Sequence, residues 1–79
     1  MSKLKTLRLE AGLSQKQLAE KAGCNLRMLQ YYEQGIKNLD HARLDILLKY
    51  CLALDCNLVD LIEDPQYLAL LNRYDFGEI

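Results

Sequence analysis

Seventy-nine residues with 51% hydrophobic and 27% charged side chains fit one small globular domain, able to bury only about 60–65% of its unfolded surface. No apolar run approaches the roughly 18–20 residues that span a bilayer, and the start of the chain lacks a signal peptide's apolar core, so a cytoplasmic protein without a membrane anchor is expected. The net charge of −1, taken alone, lacks the basic signature of a nucleic-acid-binding domain.

Residues 2–11 read as a first helix, with Ser2 as cap and Gly12 as stop; Leu4, Leu7 and Ala11 form its core-facing stripe. Lys3 and Lys5 lie off that stripe, either near an anionic partner or simply solvated. Ser14 then begins a second helix over about 15–22. Its hydroxyl can accept an orphan backbone N–H, and Gln17 can reach back to complete a capping box. Leu18, Ala19 and Ala22 point inward, with Leu13 and Leu18 as a hydrophobic staple. Gly23 permits a left-handed turn, Asn25 caps a third helix over about 26–34, and Gly35 stops it. Leu29 and Tyr32 face the core with Cys24. Leu26, Arg27, Met28, Gln30, Tyr31 and Gln34 remain on or near the outer surface. Two capped helices joined by a Gly-containing turn make a helix-turn-helix.

After a loop over residues 36–39, Asp40 is expected to cap a fourth helix running to about Leu54. Its inward stripe is Ala42, Ile46, Leu47, Tyr50, Cys51 and Leu54. Asp55 follows, where a left-handed conformation would cost more than at glycine. Asn57 caps a short fifth helix carrying Leu58, Leu61 and Ile62, which Glu63-Asp64-Pro65 closes. Asp64 and Pro65 can start a further helix. Tyr67, Leu68, Leu70, Leu71 and Tyr74 make it amphipathic, with Phe76 and Ile79 extending the apolar surface. The expected division is a domain over 1–64 and an extension over 65–79 that packs back on the domain or joins a dimer.

Cys24, Cys51 and Cys56 have no Cys-x-x-Cys spacing and only His41 beside them, so reduced near-core thiols are expected, with no metal and no cofactor. No acid–base pair, phosphate loop or Cys–His arrangement points to an enzyme. Charge is distributed unevenly. Residues 1–37 carry seven Lys or Arg against three acids, a balance of +4; residues 38–79 carry three against eight, a balance of −5. Fields in water decay over about 8–10 Å at ordinary salt. An anion facing the first half therefore feels mainly that half, and such asymmetry points to a nucleic-acid partner.

Leu13-Ser14-Gln15, Leu18-Ala19, Gly23, Leu29, Tyr32-Glu33 and Gly35, at this spacing, resemble the phage-repressor-type helix-turn-helix of the Cro and cI group, the xenobiotic-response-element family. The resemblance covers roughly residues 3–63. It implies an all-α, compact five-helix lambda-repressor-like domain, here with a short C-terminal extra helix. It also implies a double-stranded DNA partner, a palindromic operator bound by a homodimer, and a role as a transcriptional regulator such as a repressor. It pairs Arg8 with Glu33 as a structural ion pair between the first and third helices. Gln15, with Lys16 beside it in the same first turn, meets a DNA phosphate, and Lys37 and Asn38 meet the sugar-phosphate backbone.

Under that resemblance the third helix enters the major groove, and Asn25 at its start joins the DNA-facing set. Arg27 is the leading specificity candidate, because its guanidinium fork matches O6 and N7 of guanine. Gln30 can read adenine, Tyr31 can meet a phosphate or base edge, and Gln34 completes the face. Leu26 and Met28 can contact thymine methyl groups, cover the core edge, or form a protein-binding patch. The alternative function is accordingly a protein-interaction module, antitoxin-like or a regulatory adaptor, using Leu26, Met28 and Tyr31.

Overall fold

A computed structural model describes residues 2–75. Within them lie six α-helices, one 3-10 turn and no strand. The helices are α1 (Lys3–Glu10), α2 (Gln15–Ala22), α3 (Leu26–Gln34), α4 (Leu44–Leu54), α5 (Leu58–Leu61) and α6 (Pro65–Asp75). The all-α, lambda-repressor-like architecture expected from the sequence is the one observed.

Local chemistry explains most of the boundaries. The Ser2 hydroxyl accepts the Lys5 N–H at 3.1 Å and starts α1. At α2 the capping box is complete: Gln17 N–H donates to the Ser14 hydroxyl at 3.1 Å, and Ser14 N–H to the Gln17 carbonyl oxygen at 2.9 Å. Asn25 caps α3 by accepting the Met28 N–H at 3.0 Å. Gly23 and Gly35 end α2 and α3 in the left-handed region, at φ 69° and 78°. A side chain added at either would meet nothing within 4 Å, so the demand for glycine there is conformational. Asp55 ends α4 with φ 52° and ψ 51°, bearing the cost of a Cβ in that region.

The core gathers Leu4 from α1, Leu18 from α2, Leu29 from α3, Tyr50 from α4 and Leu61 from α5, all fully buried. Tyr32 meets Tyr50 edge-to-face at a centroid distance of 6.4 Å, a geometry that favours the ring quadrupoles. Burial raises the pKa values of Tyr50 and of all three free thiols, that of Cys56 to about 12. The last helix rests on α5 through Tyr67, Leu68 and Leu71, which are half-buried against the core.

Several expectations need correction. Ala11 is exposed, because it follows the last turn of α1 and no longer obeys helical periodicity. Asp40 does not cap the fourth helix. It sits in the 3-10 turn Leu39–His41, capped by Asn38, and α4 starts at Leu44 behind Arg43 with no side-chain cap. The Asp40 carboxylate instead accepts the N–H groups of Glu63 and Asp64, at 3.0 and 2.9 Å. It thereby ties this turn to the start of α6. Lys3 is occupied too: its Nζ donates to the Ile62 carbonyl at 2.7 Å and the Val59 carbonyl at 3.4 Å. A cation satisfying the carbonyls at the end of α5 is structural. Ala53 joins the buried face of α4, while Leu70 and Tyr74 of α6 are exposed. Phe76 and Ile79 lie outside the described residues.

Candidate nucleic-acid interface

The helix-turn-helix is held from behind by one polar cluster. Arg8 Nε and Nη2 donate to the two carboxylate oxygens of Glu33 at 2.7 and 3.0 Å. Arg8 Nη1 donates to the Leu13 carbonyl at 2.8 Å. The side chains are 9% and 2% exposed. The carboxylate bonded to the guanidinium raises the Arg8 pKa further above its ordinary value. This fork fixes α1 to α3 and to the loop that delivers Ser14, so the start of α2 and the body of α3 are set against one anchor.

The same carboxylate reaches the outer surface through Gln15, whose Nε2 donates to Glu33 Oε1 at 3.1 Å. Gln30 Nε2 lies at 3.5 Å from Gln15 Oε1, a weak contact at the limit for a hydrogen bond. The result is a chain, Arg8–Glu33–Gln15–Gln30, that runs from the interior to the joint between α2 and α3. The Gln15 link is not visible in sequence: the two residues lie 18 apart, and no local pattern joins them.

Lys16, Asn25, Arg27, Gln34, Lys37 and Asn38 are exposed, and Gln15, Leu26, Met28, Gln30 and Tyr31 are half-buried. The Tyr31 carbonyl accepts the N–H groups of Ile36 and Lys37 at 2.9 and 3.3 Å, which folds the loop after Gly35 tightly onto the end of α3. Leu26 packs against the core, the second of its three expected placements. Met28 lines a cleft of about 250 Å³ with Cys24, Tyr32 and Tyr50. The exposed side of α3 is thus mostly polar, with Arg27 its only described cation. Lys16 lies at the N-terminus of α2, where free N–H groups and the helix dipole favour an anion.

A family model described as helix-turn-helix matches residues 4–61. The chain belongs to that family, in its Cro/cI, xenobiotic-response-element branch. The match begins inside α1 and ends with α5, so it takes in the whole Arg8–Glu33–Gln15–Gln30 chain and leaves α6 outside. Domains of this family bind DNA. No curated protein and no solved structure matches the chain. Among the described residues no helix is long and apolar enough to cross a membrane, and no cluster of His, Cys, Asp or Glu is placed to hold a metal ion.

Proposed function

We propose that the protein is a sequence-specific, double-stranded DNA-binding transcriptional regulator of a bacterium or phage, acting in the cytoplasm without catalysis. Its α3 lies in the major groove. Arg27 reads guanine, Gln30 and Gln34 supply further base-edge contacts, and Gln15, Lys16, Lys37 and Asn38 position the backbone. Two copies bind a two-fold operator with half-sites about 34–36 Å apart. The observation that carries this reading is the family match across a helix pair anchored by Arg8–Glu33, with Arg27 exposed on the outer side of α3.

The protein-interaction alternative needs Leu26, Met28 and Tyr31 as a continuous adhesive face. All three are half-buried and Leu26 packs in part against the core; it is the family match that supports the DNA reading over this one. Arg27→Ala provides the test, with binding measured on a selected duplex and on variants changed at single base pairs. The substitution is expected to erase about 1–3 kcal/mol of discrimination at one base pair, with a smaller loss on unrelated duplexes. Equal losses on every sequence would reduce Arg27 to a phosphate contact. A wild-type protein that binds selected and scrambled duplexes alike would refute the reading itself.

A further inference from the structure

The end of α4 closes in a way that brings two sulfurs together. Past Leu54 the chain turns left-handed at Asp55, and the Cys56 N–H donates back to the Cys51 carbonyl at 3.0 Å. In a helix end of this kind, the residue after the left-handed one packs its side chain on the last turn, over the residue whose carbonyl receives its N–H. Here both of those residues are free cysteines, and their thiols lie within hydrogen-bonding reach of each other. Both line a hollow of about 640 Å³ walled by Leu48, Leu52, Leu58 and Leu71. Cys56 is only half-buried, so the pair can be reached from solvent. We propose that Cys51 and Cys56 bind one soft, two-coordinate cation of the copper(I) class across the end of α4.

The donor set selects that class. Thiolates suit soft ions, copper(I) among them. Two sulfurs fall short of a cluster of three or more His, Cys, Asp or Glu able to hold a metal, and none occurs among the described residues. Zinc, which completes a tetrahedral set, is therefore left short, whereas copper(I) is satisfied by two thiolates in line. The leucine wall disfavours water as a further ligand. Asp55 and Asp60 add negative charge beside Cys56 and are exposed. The Asp60 carboxylate already accepts the Asn57 N–H at 2.9 Å. The two carboxylates thus supply a field that draws a cation in. Binding is an exchange without oxidation: each thiol gives its proton to solvent, two sulfur–copper bonds form, and the ion stays copper(I). Burial first, then Cys51, Asp60 and Asp55, push the Cys56 thiol up to about 12. A thiol held protonated is a poor nucleophile, so the pair stays reduced and open to a metal.

The test uses the full chain, reduced and free of oxygen, titrated with copper(I) in competition with the chelator bicinchoninate. The wild type is expected to take up one ion per chain, with an X-ray absorption edge of two-coordinate copper(I) and two sulfur neighbours. Removing a side chain that merely orients a metal ligand already costs about 10–100-fold in affinity. Cys51→Ala and Cys56→Ser, which each remove a ligand, should therefore raise the dissociation constant by more than about a hundredfold. Cys24→Ser should bind as the wild type does, and zinc should not compete. Circular dichroism identifies a variant that has lost its fold. Should Cys51→Ala do so, Cys56→Ser, at a half-buried position, and the wild-type absorption edge decide the matter. Half an ion per chain, with copper bridging two copies, would overturn the proposal. So would a third sulfur neighbour, undiminished affinity in either cysteine variant, an equal loss in Cys24→Ser, or equal affinity in the urea-unfolded chain. None of Cys51, Cys56 and the hollow's walls belongs to α2 or α3, so this outcome bears on the metal site and leaves the DNA reading to its own test.

Discussion

Removing Glu33 by substitution with alanine should be the most damaging single change available on the helix-turn-helix. Glu33→Ala leaves the Arg8 Nε and Nη2 donors without the acceptors they meet at 2.7 and 3.0 Å, and it frees the Gln15 amide as well. Only the Leu13 carbonyl would still accept from Arg8. A guanidinium does not deprotonate in a protein, so the variant must keep an unpaired charge in a site that is 9% exposed or open the structure to hydrate it. Breaking a buried pair from one side costs about 3–5 kcal/mol. Solvent screening gives little relief at this exposure. A chain of 79 residues has about 4–12 kcal/mol of total stability, so the change consumes a large share. In melting temperature it is a fall of at least about 12 °C for a domain of this size.

The net worth of the intact pair is a separate quantity, and a double-mutant cycle measures it. Arg8→Ala should cost less than Glu33→Ala, because a stranded carboxylate can neutralise itself by taking up a proton. Arg8→Met with Glu33→Leu should lie within about 2 kcal/mol of wild type, since apolar side chains of similar volume need no partners. Urea unfolding followed by far-UV circular dichroism gives all four stabilities. A loss below about 1 kcal/mol for Glu33→Ala, with a coupling below about 0.5 kcal/mol, would refute the reasoning. The pair would then behave like an ordinary surface contact.

Two further changes test the second half of the chain. Asp55→Gly should stabilise the protein by about 0.5–1 kcal/mol, because it relieves a Cβ held at φ 52°; a lower urea midpoint would count against strain at that cap. The Asp45 carboxylate is bonded to the Arg43 guanidinium at 2.6 and 3.0 Å, which lowers its pKa to about 2. A carboxylate with a depressed folded pKa contributes stability above its ordinary value near 3.8, and that contribution disappears as pH falls through about 2. Because the pair is exposed, the effect on unfolding is slight. The sharper measurement is an NMR titration in which Arg43→Ala moves the Asp45 midpoint back up, and an unmoved midpoint would remove Arg43 as the cause.

What could be read in advance was what is encoded within about four residues. Ser14 with Gln17, Asn25 with Met28, and the glycines at 23 and 35 each carry their reason next to them, and the helix-turn-helix follows from these local signals. Arg8 and Glu33 were paired by family resemblance, since nothing in their neighbourhood shows that they meet. Two of the misreadings, at Asp40 and Lys3, involve groups whose partners are distant in the chain. Asp40 looks like a helix cap from its neighbours, but its acceptors are used 23 and 24 residues later. Lys3 looks like a surface cation, yet it closes a helix end 56 and 59 residues on. The exposed leucines at 44, 48 and 52 went unremarked because α4 is apolar around much of its circumference. Periodicity shows that such a helix has a wide apolar face without saying which part stays uncovered.

The proposed DNA-facing residues divide by whether the fold already holds them, and the division constrains how specificity can arise. Gln15 is held by Glu33, Asn25 by the Met28 N–H and Asn38 by the Asp40 N–H at 3.0 Å. In the proposed complex each side chain would therefore meet the duplex in one orientation, with donor hydrogens left over for phosphate. Lys16, Arg27, Gln34 and Lys37 are exposed and have no such tether among the described residues. Ordering each on binding costs about 0.5–1.5 kcal/mol. For Arg27 that cost is of the same order as the roughly 1–3 kcal/mol that a guanine contact contributes to discrimination. A tight but unselective grip can therefore come from the held groups and the α2 N-terminus, whereas selectivity has to be shared. Gln30 is half-buried and touches Gln15 only at the 3.5 Å limit, so in the proposed complex partial burial, more than that contact, lowers the cost of ordering it for base discrimination. In the proposed complex the Arg8–Glu33 pair stands behind Gln15, which Glu33 holds at 3.1 Å, with Gln30 in weak contact beyond it, so loss of the interior pair is expected to loosen both side chains at the interface.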